Sequence, residues 1–197
     1  DRRLQAKQQP HDVLGLLDAL KVARTHYCGL SMGGMIGQHL ALKAPDRIDR
    51  LVLADTTSRL PPESRALWPE RMRIAGGQGM AALAPSTLER WFTPPYRAAH
   101  PEVMARIGDL IRATPPAGYI GCAQAIAQID ITERLHEVKA PTLVIVGSED
   151  GGTPPAMSRE IAAAIPGARL EIIAEASHLS NIEQAEAFNR LLLDFLG

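Results

Sequence analysis

The stretch that most constrains the fold of this chain is residues 29–33, which read Gly-Leu-Ser-Met-Gly. An apolar, strand-like run leads into this motif, and a helix-like run over residues 32–44 leads out of it. This context is typical of a nucleophile elbow, a sharp strand-to-helix turn that exposes a serine hydroxyl at the end of a sheet. We therefore predict that Ser31 is a nucleophile in a strained turn. The flanking Gly29 and Gly33 are expected to prevent collisions with neighbouring backbone.

A serine hydroxyl needs a base that takes its proton and an acid that orients the base. After an elbow of this kind, the acid comes first along the chain and the histidine second. The candidate acid is Asp150, which follows the continuous apolar run 142–147, a pattern typical of a buried parallel strand. Only His178 follows Asp150 among the histidines, and it comes after the strand-like run 169–173. Because active sites of open α/β sheets lie beyond the carboxyl ends of the strands, we predict that these three residues form a catalytic triad.

Two other carboxylates compete with Asp150 for the role of the acid. Glu149 is its neighbour in the same loop, and Asp55 follows the predicted strand 48–54, a position that some hydrolases use. Asp150 itself could be a solvated loop residue. A short acid directly after the strand suits a close approach to an imidazole, so Asp150 is the assignment that we favour.

Composition and charge narrow the classes of function. The chain has 197 residues, 46% of them hydrophobic, which is enough for one buried core. Its 21 basic and 22 acidic residues give a net charge of −1, which argues against a nucleic-acid partner. No apolar run approaches membrane-spanning length, and two cysteines are too few for a disulfide framework, so we expect a cytoplasmic protein with no membrane partner. No residues have metal-ligand spacing, and the sequence leaves a homo-oligomer open.

The order of strand and helix patterns divides the chain into three predicted segments. Residues 1–56 are the first part of a hydrolase core, residues 57–135 a helical cap, and residues 136–197 the second part of the core. The middle segment holds nine of the fifteen prolines and shows no clear strand, so we predict short helices there, around 64–74, 86–92, 101–113 and 117–128. The core is predicted to be a mostly parallel sheet flanked by helices, with strands at about 25–30, 48–54, 142–147 and 169–173.

Local signals predict where two helices near the site begin. Thr153 precedes two prolines and is the predicted N-cap of a helix that continues through Ile165. Ser180 and Glu183 have the spacing of a capping box before a final helix that ends at Leu196.

Together, these residues resemble the α/β-hydrolase superfamily and, more narrowly, the 3-oxoadipate enol-lactonases. The elbow and the segment 177–181 are shared across the superfamily. The Gly-x-x-Asp-x-x-Thr-Pro-Pro stretch at 147–155 and the Gly-Tyr-x-x-Cys stretch at 118–122 are more particular to the lactonases. Proteins of this fold have several strands before the elbow, so we expect the N-terminal strands to be absent from this chain.

The resemblance implies hydrolysis of an enol-lactone to 3-oxoadipate in the catabolism of aromatic compounds. Ser31 is expected to attack the lactone carbonyl with His178 as base and Asp150 as its orienting acid, and no cofactor is required. The backbone N–H of Met32 is the expected oxyanion donor. A second donor comes from an early loop in this fold, and it is expected to belong to the missing N-terminal segment.

Four residues are candidates for contact with a lactone or ester substrate. The substrate implied by the resemblance carries a free carboxylate, so a cation is expected at the pocket, and Arg59 is the candidate. The alternative for Arg59 is a solvated surface position. Trp68, Trp91 and Tyr119 are candidates for an apolar pocket wall, and packing within the cap is their alternative role.

Two other kinds of function stay open at this point. A carboxylesterase, a carbon–carbon bond hydrolase or a cofactor-free perhydrolase would use the same triad. A non-catalytic ligand-binding module, made inactive by truncation, is the alternative from a different class. Dehalogenases and epoxide hydrolases are disfavoured, because they carry Asp where this chain has Ser31.

Overall fold

A four-stranded parallel sheet is the centre of the fold in the computed structural model, which describes residues 9–197. The spatial order of the strands follows the chain, and every neighbouring pair is parallel. The strands are β1 (Thr25–Leu30), β2 (Ile48–Ala54), β3 (Thr142–Gly147) and β4 (Arg169–Ile173). These bounds agree with the strands predicted from hydrophobic runs, and the predicted α/β class is confirmed.

Helices cover both faces of the sheet because successive side chains of a strand point to opposite sides. On β2, Leu51 and Leu53 pack on one face in a cluster with residues of the helices α2 (Met32–Lys43) and α9 (Pro155–Ala164), while Val52 and Ala54 pack on the other with α11 (Ala185–Leu196). Each residue of β3 is buried, as expected for a strand covered on both faces. The helices that flank the sheet are α1 (Gln9–Ala19), α2 (Met32–Lys43), α9 (Pro155–Ala164) and α11 (Ala185–Leu196).

Between β2 and β3 the chain forms six α-helices, which we call the cap helices. They are α3 (Pro62–Arg65), α4 (Trp68–Gln78), α5 (Ala84–Trp91), α6 (Pro94–Ala99), α7 (Pro101–Ala113) and α8 (Pro116–Ala127). Each has a proline at its first or second position. A backbone N–H there has no hydrogen-bond partner within the helix, so the N–H that proline lacks is not missed. The prolines of this stretch therefore mark where helices begin. A proline at 69 also separates two helices where the sequence predicted one over residues 64–74.

The predicted N-cap of α9 is wrong. The helix begins at Pro155 with Pro154 as its N-cap, and the hydroxyl of Thr153 donates to Asp150 Oδ2 at 2.7 Å instead. Thr153 is buried, so its hydroxyl bonds to the buried carboxylate beside it rather than to a helix end.

The predicted capping box before α11 is also wrong. Ser180 begins a separate short helix, α10 (Ser180–Glu183), and its hydroxyl donates to Asp55 Oδ2 at 2.6 Å. The Glu183 carboxylate accepts hydrogen bonds from Thr93 and Ser177. Both side chains are buried, so they satisfy polar groups of other elements instead of the end of a helix.

Candidate active site

Ser31 lies between β1 and α2 in a backbone conformation that L-residues rarely adopt, with φ 54° and ψ −116°. Its N–H donates to the carbonyl of Ala54 at 2.8 Å, which joins the turn to the end of β2. Its own carbonyl accepts from the Thr56 hydroxyl at 2.7 Å and from the Met35 N–H at 3.1 Å. Strained conformations persist only where the surrounding structure holds them, and these bonds hold Ser31 from β2, from the loop after β2 and from α2.

The glycines of the elbow differ in how much space surrounds them. A Cβ at Gly29 would lie 2.3 Å from the carbonyl oxygen of Gly33, and a Cβ at Gly34 would lie 2.7 Å from the side chain of Thr56. A Cβ at Gly33 would meet no described atom within 4 Å beyond its chain neighbours and its own helix. The predicted steric need is therefore met at Gly29 and wrong at Gly33. Gly34, which the sequence analysis did not single out, is the second crowded position.

The three side chains predicted from chain order form one hydrogen-bonded line. His178 Nε2 lies 2.9 Å from Ser31 Oγ, and His178 Nδ1 lies 2.9 Å from Asp150 Oδ2. His178 is 7% exposed and Asp150 is 2% exposed, so water has little access to the bond between them. In this geometry the imidazole can take the serine proton while the carboxylate holds its tautomer.

The Asp150 carboxylate receives further hydrogen bonds from the loop that follows it. Its Oδ1 accepts from the N–H groups of Gly152 at 2.8 Å and Thr153 at 2.9 Å. Burial acts to raise the pKa of Asp150, but the bond and charge of His178 and the bonds from Thr153 outweigh burial and lower the pKa. Asp150 is therefore held as a carboxylate. Its competitor Glu149 has an exposed side chain.

The second competing acid, Asp55, is fully buried at the end of β2 and makes no hydrogen bond to His178. Its Oδ1 accepts from the Gly147 N–H at 2.9 Å, and its Oδ2 accepts from the Ser180 hydroxyl. Burial raises the pKa of Asp55 to about 7, against the opposing effect of these two hydrogen bonds. Asp55 thus links the end of β2 to the end of β3 and to Ser180, the first residue of α10, which lies two residues after His178 in the chain.

A cavity of about 450 Å³ opens beside Ser31 and His178. The aromatic residues predicted as pocket walls, Trp68, Trp91 and Tyr119, all line it. Trp91 and Tyr119 also pack against the apolar core of the cap helices, so the wall and core roles coincide. The Trp91 ring stacks on His178, with 6.4 Å between the ring centroids.

Met32 also lines the cavity, as the first residue of α2. The amino end of a helix carries a partial positive charge, which favours a negative charge placed there. Donation from the Met32 N–H to an oxyanion stays a prediction.

Arg59 is not among the residues that line this cavity, so its predicted contact with the substrate carboxylate gains no support from the structure and stays a prediction. Its exposed guanidinium forms an ion pair with Glu160 of α9. The Arg59 backbone forms an isolated antiparallel bridge with Asp130. Its place in the sequence, just after a strand end, was therefore a poor guide to the direction of its side chain.

Two arginines that the sequence analysis missed do line the cavity: Arg71 of α4 and Arg90 of α5. Arg71 lies three residues after Trp68, on the same face of the helix, and Arg90 directly precedes Trp91. Proximity to the candidate wall residues was thus the signal that could have found them.

The part of the chain that the structure describes contains no helix long and apolar enough to cross a membrane. Within residues 9–197, no three His, Cys, Asp or Glu side chains cluster as a metal site would require.

Comparison with known proteins gives consistent matches. The family model for the α/β hydrolase fold matches residues 5–185. The chain is 35% identical over 178 residues to 3-oxoadipate enol-lactonase 2 of Acinetobacter baylyi, covering 90% of this chain and 66% of that protein. The structure of the enol-lactonase from Burkholderia xenovorans LB400 has a TM-score of 0.93 and 44% identity, covering 98% of this chain and 73% of that one. The structure of a thermophilic esterase from Thermogutta terrifontis has a TM-score of 0.90 and 30% identity, covering 98% of this chain and 72% of that one.

This chain spans about two thirds of the length of the Acinetobacter baylyi lactonase that it matches.

Proposed function

Because this chain belongs to the α/β-hydrolase family, we propose that it opens the ring of 3-oxoadipate enol-lactone to give 3-oxoadipate, a step in the catabolism of aromatic compounds. The observation that carries the proposal is the hydrogen-bonded line of Ser31, His178 and Asp150 beside a cavity of about 450 Å³. The similarity to an enol-lactonase of 44% identity supports a lactone as the substrate.

The proposed reaction begins with attack of Ser31 Oγ on the lactone carbonyl while His178 Nε2 takes the hydroxyl proton. The bond between the carbonyl carbon and the ring oxygen then breaks, and the ring oxygen leaves as an enol after His178 returns the proton. An enol is a better leaving group than an alcohol because the charge that develops on its oxygen is delocalised. The substrate stays attached to Ser31 as an acyl-enzyme, since the leaving oxygen belongs to the same molecule.

In the second half, His178 takes a proton from water, and the resulting hydroxide attacks the acyl-enzyme. The bond to Ser31 Oγ breaks, Oγ recovers its proton from His178, and the released enol tautomerises to the ketone. Asp150 keeps the proton of His178 on Nδ1 throughout. The proposed oxyanion donor is the Met32 N–H, aided by the positive end of α2. These steps need no cofactor.

Turnover of the enol-lactone by this chain and by Ser31→Ala is the direct test. Loss of the nucleophile is expected to lower kcat by about 10⁴-fold or more. Ser86→Ala, at an exposed serine of α5, is the matched control and should retain full activity.

A panel of simple carboxylic esters separates the proposal from its alternatives. Hydrolysis of aryl esters without turnover of the lactone would contradict the lactonase proposal and favour a carboxylesterase. Failure to hydrolyse either class, with no labelling of Ser31 by a serine-directed phosphonate, would favour a non-catalytic ligand-binding protein.

A further inference from the structure

Thr153 lies against both partners of the Asp150–His178 pair. Its hydroxyl donates to Asp150 Oδ2 at 2.7 Å, and the same hydroxyl oxygen lies 3.4 Å from His178 Nδ1. Asp150 Oδ2 is also the oxygen that lies 2.9 Å from His178 Nδ1. The hydroxyl oxygen, the carboxylate oxygen and the ring nitrogen therefore form a triangle of polar atoms. Thr153 is 5% exposed, so water has little access to this triangle.

The direction of the Thr153 hydroxyl proton follows from the charge of Asp150. A carboxylate cannot donate, so the proton of the hydroxyl points to Asp150 Oδ2. A hydroxyl has one proton, and what it turns towards His178 Nδ1 is therefore a lone pair. A lone pair attracts an N–H and repels an unprotonated ring nitrogen. The hydroxyl thus favours the tautomer with its proton on Nδ1, which leaves Nε2 free to accept the proton of Ser31.

Thr153 also holds the Asp150 carboxylate by both of its oxygens. Its N–H donates to Oδ1 at 2.9 Å and its hydroxyl donates to Oδ2, so the carboxylate cannot rotate without breaking one of these bonds. The preceding residue closes the loop against the pair. A Cβ at Gly152 would lie 3.3 Å from Asp150 Oδ1 and 3.6 Å from His178 Nδ1.

We propose that Thr153 is a positioning residue of the triad, whose hydroxyl fixes the Asp150 oxygen that binds His178 and holds the imidazole proton on Nδ1. The inference rests on the proposed hydrolase function and deepens it, because it assigns part of the choice of tautomer to a residue outside the triad. Thr153 also lines the cavity, so the test must separate a positioning role from contact with the substrate.

The first test compares Thr153→Val, which replaces the hydroxyl with a methyl group of similar size, with Thr153→Ser, which keeps the hydroxyl. Because Asp150 Oδ2 is then held less firmly, Thr153→Val should lower kcat by about 5- to 50-fold and change KM by less than about 3-fold. The loss should be equal for the enol-lactone and for phenyl acetate, since the hydroxyl acts through the triad. Thr153→Ser should retain most of the activity.

Thr142→Val is the matched control. It removes another buried threonine hydroxyl, which donates to the Ala140 carbonyl at the opposite end of β3. This variant should keep the kcat of the parent protein, and its Tm shows what the loss of a buried hydroxyl does to stability alone.

The pH profile separates positioning from a purely structural role. A hydrogen bond to a carboxylate favours its charged form, so loss of the hydroxyl makes Asp150 more basic and the adjacent imidazolium easier to form. The acid limb of kcat/KM reports the coupled Asp150–His178 pair. It should shift to higher pH by about 0.5 to 1 unit in Thr153→Val and stay in place in the control.

Two other charged groups act on this pair, Asp55 at the end of β2 and Arg90 on α5. None of the variants changes either group. Burial raises the pKa of Asp55 to about 7, so its titration could overlap the acid limb. The profiles are therefore repeated in Asp55→Asn, where the shift caused by Thr153→Val should persist.

The ¹H NMR signal of the His178 Nδ1 proton gives a readout that needs no substrate. It should move downfield in Thr153→Val, because Asp150 Oδ2 then binds only that proton, and it should stay in place in Thr153→Ser and in the control. An unmoved signal or an unmoved acid limb in Thr153→Val would overturn the positioning role, even if activity fell.

The results separate the failure of this inference from the failure of the proposed function. Turnover of the enol-lactone by Thr153→Val at the parent rate would keep the lactonase proposal and overturn the inference. The expected losses with phenyl acetate, without turnover of the lactone by the parent protein, would keep the inference and overturn the lactonase proposal. If the parent protein hydrolyses neither substrate, the position of the NMR signal decides the inference.

Discussion

Glu183 Oε1 accepts two hydrogen bonds from Thr93, one from its N–H at 2.8 Å and one from its hydroxyl at 2.7 Å. The other oxygen of this carboxylate accepts from the N–H of Ser177, the residue before His178. A single buried carboxylate therefore joins the start of α6, among the cap helices, to the loop that carries the proposed base. The position of His178 depends on the cap helices through this link.

Glu183→Gln should weaken this link without changing the size of the side chain. The amide presents one N–H₂ group where an oxygen accepted a hydrogen bond, so a buried N–H loses its partner. We expect the free energy of unfolding to fall by about 1–3 kcal/mol. Because the His178 loop also loses an anchor, kcat should fall several-fold. Urea unfolding and steady-state kinetics would measure both, with exposed Glu186→Gln on α11 as the control. Unfolding curves that superpose with those of the parent protein would refute the anchoring role.

Asp150→Asn should remove the negative charge that orients His178 while keeping the shape of the side chain at position 150. An amide favours the wrong tautomer of the imidazole, so kcat at neutral pH should fall by about 10⁴-fold, as in other serine triads. Retention of more than about a tenth of the activity would return the acid role to another carboxylate, with Asp55→Asn as the comparison.

The lowered pKa of Asp150 also gives a pH dependence of stability. The contribution is fully present above the unfolded-state pKa, about 3.9, and is lost as the pH falls through the lower folded-state pKa. The parent protein should therefore lose stability to acid more steeply than Asp150→Asn below about pH 4. Acid unfolding followed by circular dichroism measures this difference, and identical acid slopes would contradict it.

The raised pKa of Asp55 should give a pH dependence of stability with the opposite sign. Its folded-state pKa of about 7 is raised by burial, so the folded protein retains a proton that the unfolded chain has released. Stability should fall as the pH rises from about 4 to about 7 and then level off. In Asp55→Asn this decline should be absent, because an amide does not titrate in this range. The amide can still accept a hydrogen bond from the Gly147 N–H and donate one to Ser180. Urea unfolding at pH 5 and pH 8 would measure it, with exposed Asp46→Asn as the control. A decline of equal size in Asp55→Asn would contradict the assignment.

The elbow glycines offer a matched pair of substitutions. Gly29→Ala places a Cβ 2.3 Å from a backbone oxygen that cannot move without the turn, so it should destabilise the fold by about 1–3 kcal/mol and abolish most activity. Gly33→Ala meets no described atom within 4 Å beyond its own surroundings, and it lies inside α2. It should stabilise the fold by up to about 1 kcal/mol, because alanine favours helix over glycine. Thermal unfolding would rank the two variants, and equal losses would contradict the steric distinction.

Some features of this protein could be predicted from local sequence because each depends on residues close together in the chain. The four strands appear as continuous apolar runs, and the elbow joins a strand to a helix within five residues. The assignment of Ser31, Asp150 and His178 then followed from the chain order expected after an elbow, and their meeting followed from the carboxyl ends of parallel strands lying at one edge of the sheet. The structure brings these three side chains to 2.9 Å contacts at that edge.

Other features could not be predicted, because a side chain capable of two local roles takes the one that its burial demands. Thr153 has the sequence context of an N-cap, yet its hydroxyl bonds to Asp150 because both are buried together. Ser180 and Glu183 have capping-box spacing, yet each satisfies a polar group from a distant part of the chain.

The sequence by itself thus determined the sheet, the turn at Ser31 and the order of the proposed catalytic residues, since hydrophobic period and turn chemistry are local. Only the tertiary structure decided which cations reach the cavity. Arg59, adjacent to a strand end, turns to Glu160, while Arg71 and Arg90 reach the cavity from separate helices. The direction of a long, flexible side chain depends on how helices pack, so closeness in sequence to Trp68 and Trp91 marks these arginines only as candidates, and the packing decides.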